Sequence, residues 1–230
     1  MTKLKTITTA TLGALTALGG AYLVRNFNAH RRPRPVPHEL LWGDYKVQLP
    51  GDGVGKLFHC RYSVTIDRPR MKSAALLEQI KLRFPDFCPK LMANFTKTCG
   101  NPGAMRLGDE YSIGILGPWD GQVRVTEVTK NSFTFVTLEG HPEAGQITFA
   151  VVPHPTRPGA IRFEINSWAR SRDMLVNLSY DQIKIGKEVQ KNVWVTFCEH
   201  VVATSGGNRV GEVEVVREER TQEGEVIPIV

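Results

Sequence analysis

His141 and Glu143 are the residues of this sequence best placed to do chemistry. Two positions apart in a turn-rich stretch, they offer an imidazole as acid or base and a carboxylate to orient it. A plainer reading competes, in which His141-Pro142 shapes a tight turn and the imidazole bonds a backbone carbonyl. Tyr111, Trp119, Trp168 and Trp194 carry ring surface suited to a ligand pocket, although such residues more often fill ordinary core. Arg170 is a further ligand-binding candidate, able to pair with Glu164 at a cavity mouth, where the competing expectation is two solvated charges.

Other combinations carry less. His59-Cys60 and Cys198-x-His200 place metal-ligating types together, yet no CxxC or HxxxH accompanies them, and neighbours on a strand or helix point in different directions. No metal is expected. Gly51-Asp52-Gly53-Val54-Gly55-Lys56 resembles a phosphate loop, but Leu57 stands where a Ser or Thr would hold magnesium, and a strand follows instead of a helix. No cofactor is expected either. G-x-S-x-G and H-E-x-x-H are both missing, which removes the usual support for hydrolase and metalloprotease readings. Asn94 and Asn177 head glycosylation-type triplets, both in stretches read as helical. Cys60, Cys88, Cys99 and Cys198 are widely spaced and read as reduced, partly buried thiols.

The elements that position these residues must come from a chain of 230 residues, 41% hydrophobic, which suits one full-sized core, expected over residues 39–205. The net charge of +6 resides at the N-terminus: Lys3, Lys5, Arg25, Arg31, Arg32 and Arg34 are the Lys and Arg of residues 1–38, where no acidic residue occurs. The other 23 basic and 23 acidic residues cancel, and no basic run interleaved with aromatics is present, so nucleic acid is not an expected partner. Residues 7–24 are uncharged and just long enough to span a bilayer as a helix. Residues 1–24 therefore read as a membrane anchor or targeting segment. Single-pass placement with the domain on the cytoplasmic side follows from the heavier positive flank; a cleaved secretory signal and an organelle transit peptide are the alternatives. Residues 25–38, with alternating prolines from Pro33 to Pro37, read as a basic, extended linker near a membrane surface.

Within the domain, strict alternation predicts a strand over 56–66, and helical spacing of Leu77, Ile80 and Phe84 a helix over 73–84. A second short helix is expected through Leu91, Met92 and Phe95. Strands follow at 109–115, 121–128, 132–139, 145–152 and 160–167, with the short, Gly- and Pro-bearing connections of an antiparallel meander. Ile185, Val189, Val193, Phe197 and Val201 repeat every fourth residue in a long helix over 174–203, stopped at Ser205-Gly206-Gly207. The Glu-rich tail, 206–230, adds an edge strand or stays loose. The fold class is α+β: a curved antiparallel sheet with one long helix across its concave face, an arrangement that often leaves an apolar cavity.

Thr137-Leu138-Glu139-Gly140-His141-Pro142-Glu143-Ala144-Gly145 with Phe149, then Phe163-x-Ile165-x-Ser167-Trp168-Ala169-Arg170 and Gln190, resemble the DUF1990 family. That family is similar in turn to the START-like, helix-grip superfamily of lipid and hydrophobic-ligand binders. The chain departs from the family pattern at Val136 (Gly in the family), Glu139 (Pro), Gln146 (Glu) and residues 169–171 (Ser-Arg-Pro), so a role needing a carboxylate at 146 is not carried over. The resemblance implies a cavity fold without importing a mechanism. Three functions are expected in order: membrane-associated binding of a hydrophobic small molecule or lipid; cofactor-free isomerisation or cyclisation of a terpenoid- or polyketide-like substrate, with His141 and Glu143 as the catalytic pair; and a membrane-tethered scaffold.

Overall fold

Alternation makes strand β1 (Val54–Asp67) two-faced, with Cys60, Tyr62, Val64 and Ile66 on one side and His59, Arg61, Ser63 and Thr65 on the other. The computed structural model describes residues 31–115, 120–173 and 184–220, with the backbone alone for 184–189. Two short helices follow β1, α1 (Ser73–Leu82) and α2 (Phe84–Phe87). Then come β2 (Ala93–Cys99), β3 (Glu110–Ile115), β4 (Asp120–Val128), β5 (Ser132–Thr137), β6 (Glu143–Pro153) and β7 (Ile161–Ser171), the long helix α3 (Lys184–Ser205), and β8 (Asn208–Arg220). All eight strands join one antiparallel sheet in the order β2-β3-β4-β5-β6-β7-β1-β8. The expected meander is present, and β1 returns to pair with its last strand from Phe58–Ala169 to Ile66–Ile161.

The inner face of the sheet is the one that α3 covers. Phe197 of α3 stacks on Phe163 of β7 with 5.7 Å between centroids, and Trp194 meets Phe149 of β6 edge-on at 5.6 Å. Phe84, delivered by the break between α1 and α2, fills the middle of this face. Its fully buried ring lies 5.0–6.1 Å from Phe95, Tyr111, Phe133, Phe135, Phe149 and Phe197, in the edge-to-face and tilted geometries that aromatic quadrupoles favour.

The outer face is not left to solvent. Val36 and Val47 pack on Val136 and Leu138 as a second, smaller core. Arg34 presents its backbone to Gln146: its N–H donates to Oε1 at 2.7 Å, and Gln146 Nε2 donates to its carbonyl at 3.0 Å. A carboxylate at 146 accepts but cannot donate, which is a physical reason for glutamine at this departure from the family pattern. Arg31 bonds the fully buried Glu164, and Arg34 pairs with Glu127. Residues 31–38, read as a spacer, are therefore packed onto the sheet.

One local expectation is corrected. Residues 91–95 form no helix: Ala93 and Phe95 point inward while Asn94 and Thr96 are exposed, the period-two pattern of β2, and Leu91 stands out in solvent. The tail divides, since 208–220 pairs along β1 as the edge strand β8, while 221–230 lie outside the described residues. Residues 174–183, expected to begin the long helix, also lie outside them. The membrane placement is corrected as well. Among the described residues no helix is long and apolar enough to cross a membrane, and the N-terminal apolar helix expected over residues 1–24 falls outside them.

Candidate functional site

Successive inward positions of β6 are Glu143, Gly145, Ile147 and Phe149, and the first three border a cavity of about 70 Å³ between the sheet and α3. Phe95, Ile113, Phe135 and Trp194 supply apolar wall. His141, Glu143, Thr137 and Gln190 gather at its polar end. Gly145 lacks a side chain for a steric reason: a Cβ there would fall 2.0 Å from the Trp168 carbonyl oxygen on β7.

His141 is buried against its own turn. Its Nδ1 lies 2.9 Å from the Glu143 N–H and 3.0 Å from the Glu143 carbonyl oxygen, so it accepts from the first or donates to the second according to the tautomer. Gly121 makes room for the ring, since a Cβ there would sit 2.2 Å from Cδ2. The two residues therefore meet through backbone, and the Glu143 carboxylate does not orient the imidazole. Burial pushes the imidazole pKa down from 6.5 to about 4, with the nearby Arg172 charge acting in the same direction. Between those values only the unfolded state takes up a proton, so stability falls as pH is lowered through the window. Over the full interval the loss amounts to about 3 kcal/mol. Glu143 has the opposite sign: its raised pKa adds stability that is lost as pH rises through the folded value. Urea unfolding of the wild type and His141→Gln between pH 7 and 4 separates the two, and the variant is expected to lose most of the acid dependence.

The carboxyl of Glu143 faces a different partner. Gln190 Nε2 of α3 lies 3.3 Å from each of its oxygens. Burial holds its pKa above the usual carboxylate value, against the smaller opposing effects of the Gln190 bond and the Arg217 charge. Cys60 and Tyr62, on the inner face of β1, feel the Glu143 charge and are themselves held protonated by burial. What the arrangement can do is bind through, or transfer a proton at, one carboxyl in a largely apolar wall.

Gln48 is a site residue that no motif announced. Its side-chain amide donates to the carbonyls of His141 and Glu143 at 3.0 and 2.8 Å, while its own carbonyl accepts from Thr137 Oγ1 and the Gly145 N–H. One residue thus ties the segment before β1 to the turn that carries both polar candidates. Gln48→Ala is expected to cost about 1–3 kcal/mol, because two carbonyls lose a buried donor. Amide exchange should accelerate at residues 143–145; unchanged protection there would show that the turn holds itself.

The other candidates are dispersed. Trp194 lines the cavity, whereas Tyr111 is embedded in the aromatic core around Phe84. Trp168 and Arg170 alternate with Ser167 and Ala169 and so lie on the outer face, where Trp168 stacks on His59 at 3.9 Å. Glu164 bonds Arg31 and Arg162 there, so no Glu164–Arg170 pair forms at the cavity. Trp119 lies outside the described residues. Among the described residues, no cluster of three His, Cys, Asp or Glu is placed to hold a metal ion.

A single antiparallel sheet holding a long helix over an inner cavity defines a helix-grip domain. The model of the family DUF1990, a domain of unknown function, matches residues 96–200. Norcoclaurine synthase from Thalictrum flavum, solved in complex with dopamine and hydroxybenzaldehyde, aligns with a TM-score of 0.44 at 12% identity, over 64% of this chain and 88% of that one. A hypothetical protein from Helicobacter pylori aligns with a TM-score of 0.46 at 9% identity, over 63% and 86% of the two chains. A Mycobacterium smegmatis protein aligns with a TM-score of 0.42 at 17% identity, over 70% and 98%. No curated protein matches the chain.

Proposed function

We propose that this domain binds a small, largely apolar molecule in the cavity beneath α3, with Glu143 meeting its polar end. The observation that supports this is the cavity itself: an aromatic and aliphatic wall interrupted by a carboxyl whose partner among the described residues is the Gln190 amide. A carboxyl in such surroundings costs folding free energy, and a ligand's polar group is a natural means of offsetting it. Apolar cavities near 150 Å³ accept benzene, so a cavity of about 70 Å³ suits a smaller molecule or the end of a larger one. Native mass spectrometry of the full chain, followed by denaturation, would release and weigh a bound molecule. Ligand at a hundredfold excess over its Kd should add about 2.7 kcal/mol to the stability. An empty protein that gains no stability from any apolar fragment would count against the reading.

The raised pKa of Glu143 favours a second reading, cofactor-free isomerisation or cyclisation of an apolar substrate in the same cavity. A carboxyl shifted toward neutral pH can give and take a proton. In this reading Glu143 carries the proton and His141 shapes the turn. Full turnover by Glu143→Gln on a substrate recovered from the protein would eliminate it.

A further inference from the structure

Among the described residues that line the cavity, Glu143 and His141 are the ionisable ones, and His141 stays neutral above about pH 4 because it is buried with Nδ1 bonded to its own turn. Glu143 is therefore the group of this wall that can present negative charge to a ligand. Among the described residues Glu143 has no ion-pair partner; its hydrogen-bond donor there is Gln190 Nε2, at 3.3 Å from both oxygens. Arg217 is near enough for its charge to be felt, yet its guanidinium lies over the Phe58 ring at 4.0 Å and makes no salt bridge to Glu143. Cys60 and Tyr62 face Glu143 from β1 and are neutral, since burial raises both. Phe95, Phe135 and Trp194 border the same space. A carboxylate held by a glutamine amide and bordered by aromatic residues is complementary to a cation that carries an apolar body.

From this juxtaposition we infer that the cavity selects amines, taking the ammonium end of a small primary or secondary amine against Glu143 and its carbon body against Phe95, Phe135 and Trp194. This rests on the ligand-binding reading above. An alcohol of the same shape forfeits the charge pairing, and a ligand carboxylate meets a like charge. Because burial favours the protonated Glu143, binding an ammonium should also expel a proton from that carboxyl, so affinity rises with pH until the amine itself loses its charge.

The test is calorimetric titration of the full chain with isobutylamine and with its isosteric alcohol, 2-methylpropan-1-ol, at neutral pH in two buffers of different ionisation enthalpy. Isobutylamine should bind roughly tenfold tighter than the alcohol or better, the lower end of what close charge pairs contribute, with net proton release. Glu143→Gln should abolish that preference. Equal binding of the two probes by the wild type would overturn the amine assignment while leaving the ligand-binding reading standing, and so would a preference that survives Glu143→Gln. If neither probe binds at millimolar concentration, the ligand-binding reading fails and the amine assignment with it. The wild-type comparison decides the matter even if the variant does not fold.

Discussion

Phe84→Ala is expected to lower the stability of the domain by about 3–5 kcal/mol, the range for removing a fully buried phenylalanine from a packed core. The upper part of that range applies here. Phe84 contacts six other aromatic rings, drawn from β2, β3, β5, β6 and α3, so its loss leaves a void bordered by rigid groups that cannot collapse into it. At roughly 2–4 °C per kcal/mol for a domain of this size, the melting temperature should drop by about 10 °C or more. Urea titration at constant m-value provides the check. A change below about 1 kcal/mol would mean that neighbouring rings repack. The same variant should enlarge the cavity region and admit larger apolar probes, because Phe84 shares Phe95 and Phe135 with its wall.

Arg124→Ala should be nearly as costly, by a different route. The Arg124 side chain is almost completely buried on the outer side of β4. Its guanidinium donates to Glu110 and to three backbone carbonyls: Leu40 at 2.8 Å, Trp42 at 3.3 Å and Tyr45 at 3.0 Å. Removing it strands a shielded carboxylate together with three acceptors, a loss of about 3–5 kcal/mol for a buried pair broken on one side. Arg124→Lys should recover only part of this, because one ammonium cannot reproduce the guanidinium fork. Hydrogen exchange distinguishes the two variants of largest effect. Arg124→Ala should first release residues 38–47, whose other ties include the Lys46 carbonyl accepting from the Glu139 N–H; Phe84→Ala should lower protection throughout the sheet. If 38–47 stays protected without Arg124, the small core of Val36, Val47, Val136 and Leu138 suffices to hold it.

Legibility followed the range of the interactions. β1, β3 to β7 and most of α3 could be read because the repeat of apolar positions, two or near four residues, is a property of the local chain. β2 was misread: Leu91, Met92 and Phe95 suggest a helical stripe, and pairing with β3 from Ala93–Ile115 to Cys99–Glu110 outweighs that weak local preference. The Thr137–Gly145 stretch stood out as a turn with chemistry-bearing residues, and it does border the cavity. Its division of labour was hidden, because whether Glu143 meets His141 or Gln190 depends on a helix 47 residues away in the chain.

By itself the sequence determined that one two-faced antiparallel sheet would be covered by one long helix, since alternation and four-residue repeats follow from backbone geometry alone. Only the tertiary structure decided which face each candidate occupies. Trp168 differs from Ala169 by one position and is thereby removed from the cavity, because register is set by the partners β1 and β6. The packing of residues 31–50 was also decided there: an extended, Pro-rich segment has no periodicity, and its contacts, such as Arg31 with Glu164 and Gln48 with Glu143, join residues about a hundred positions apart that no local pattern relates.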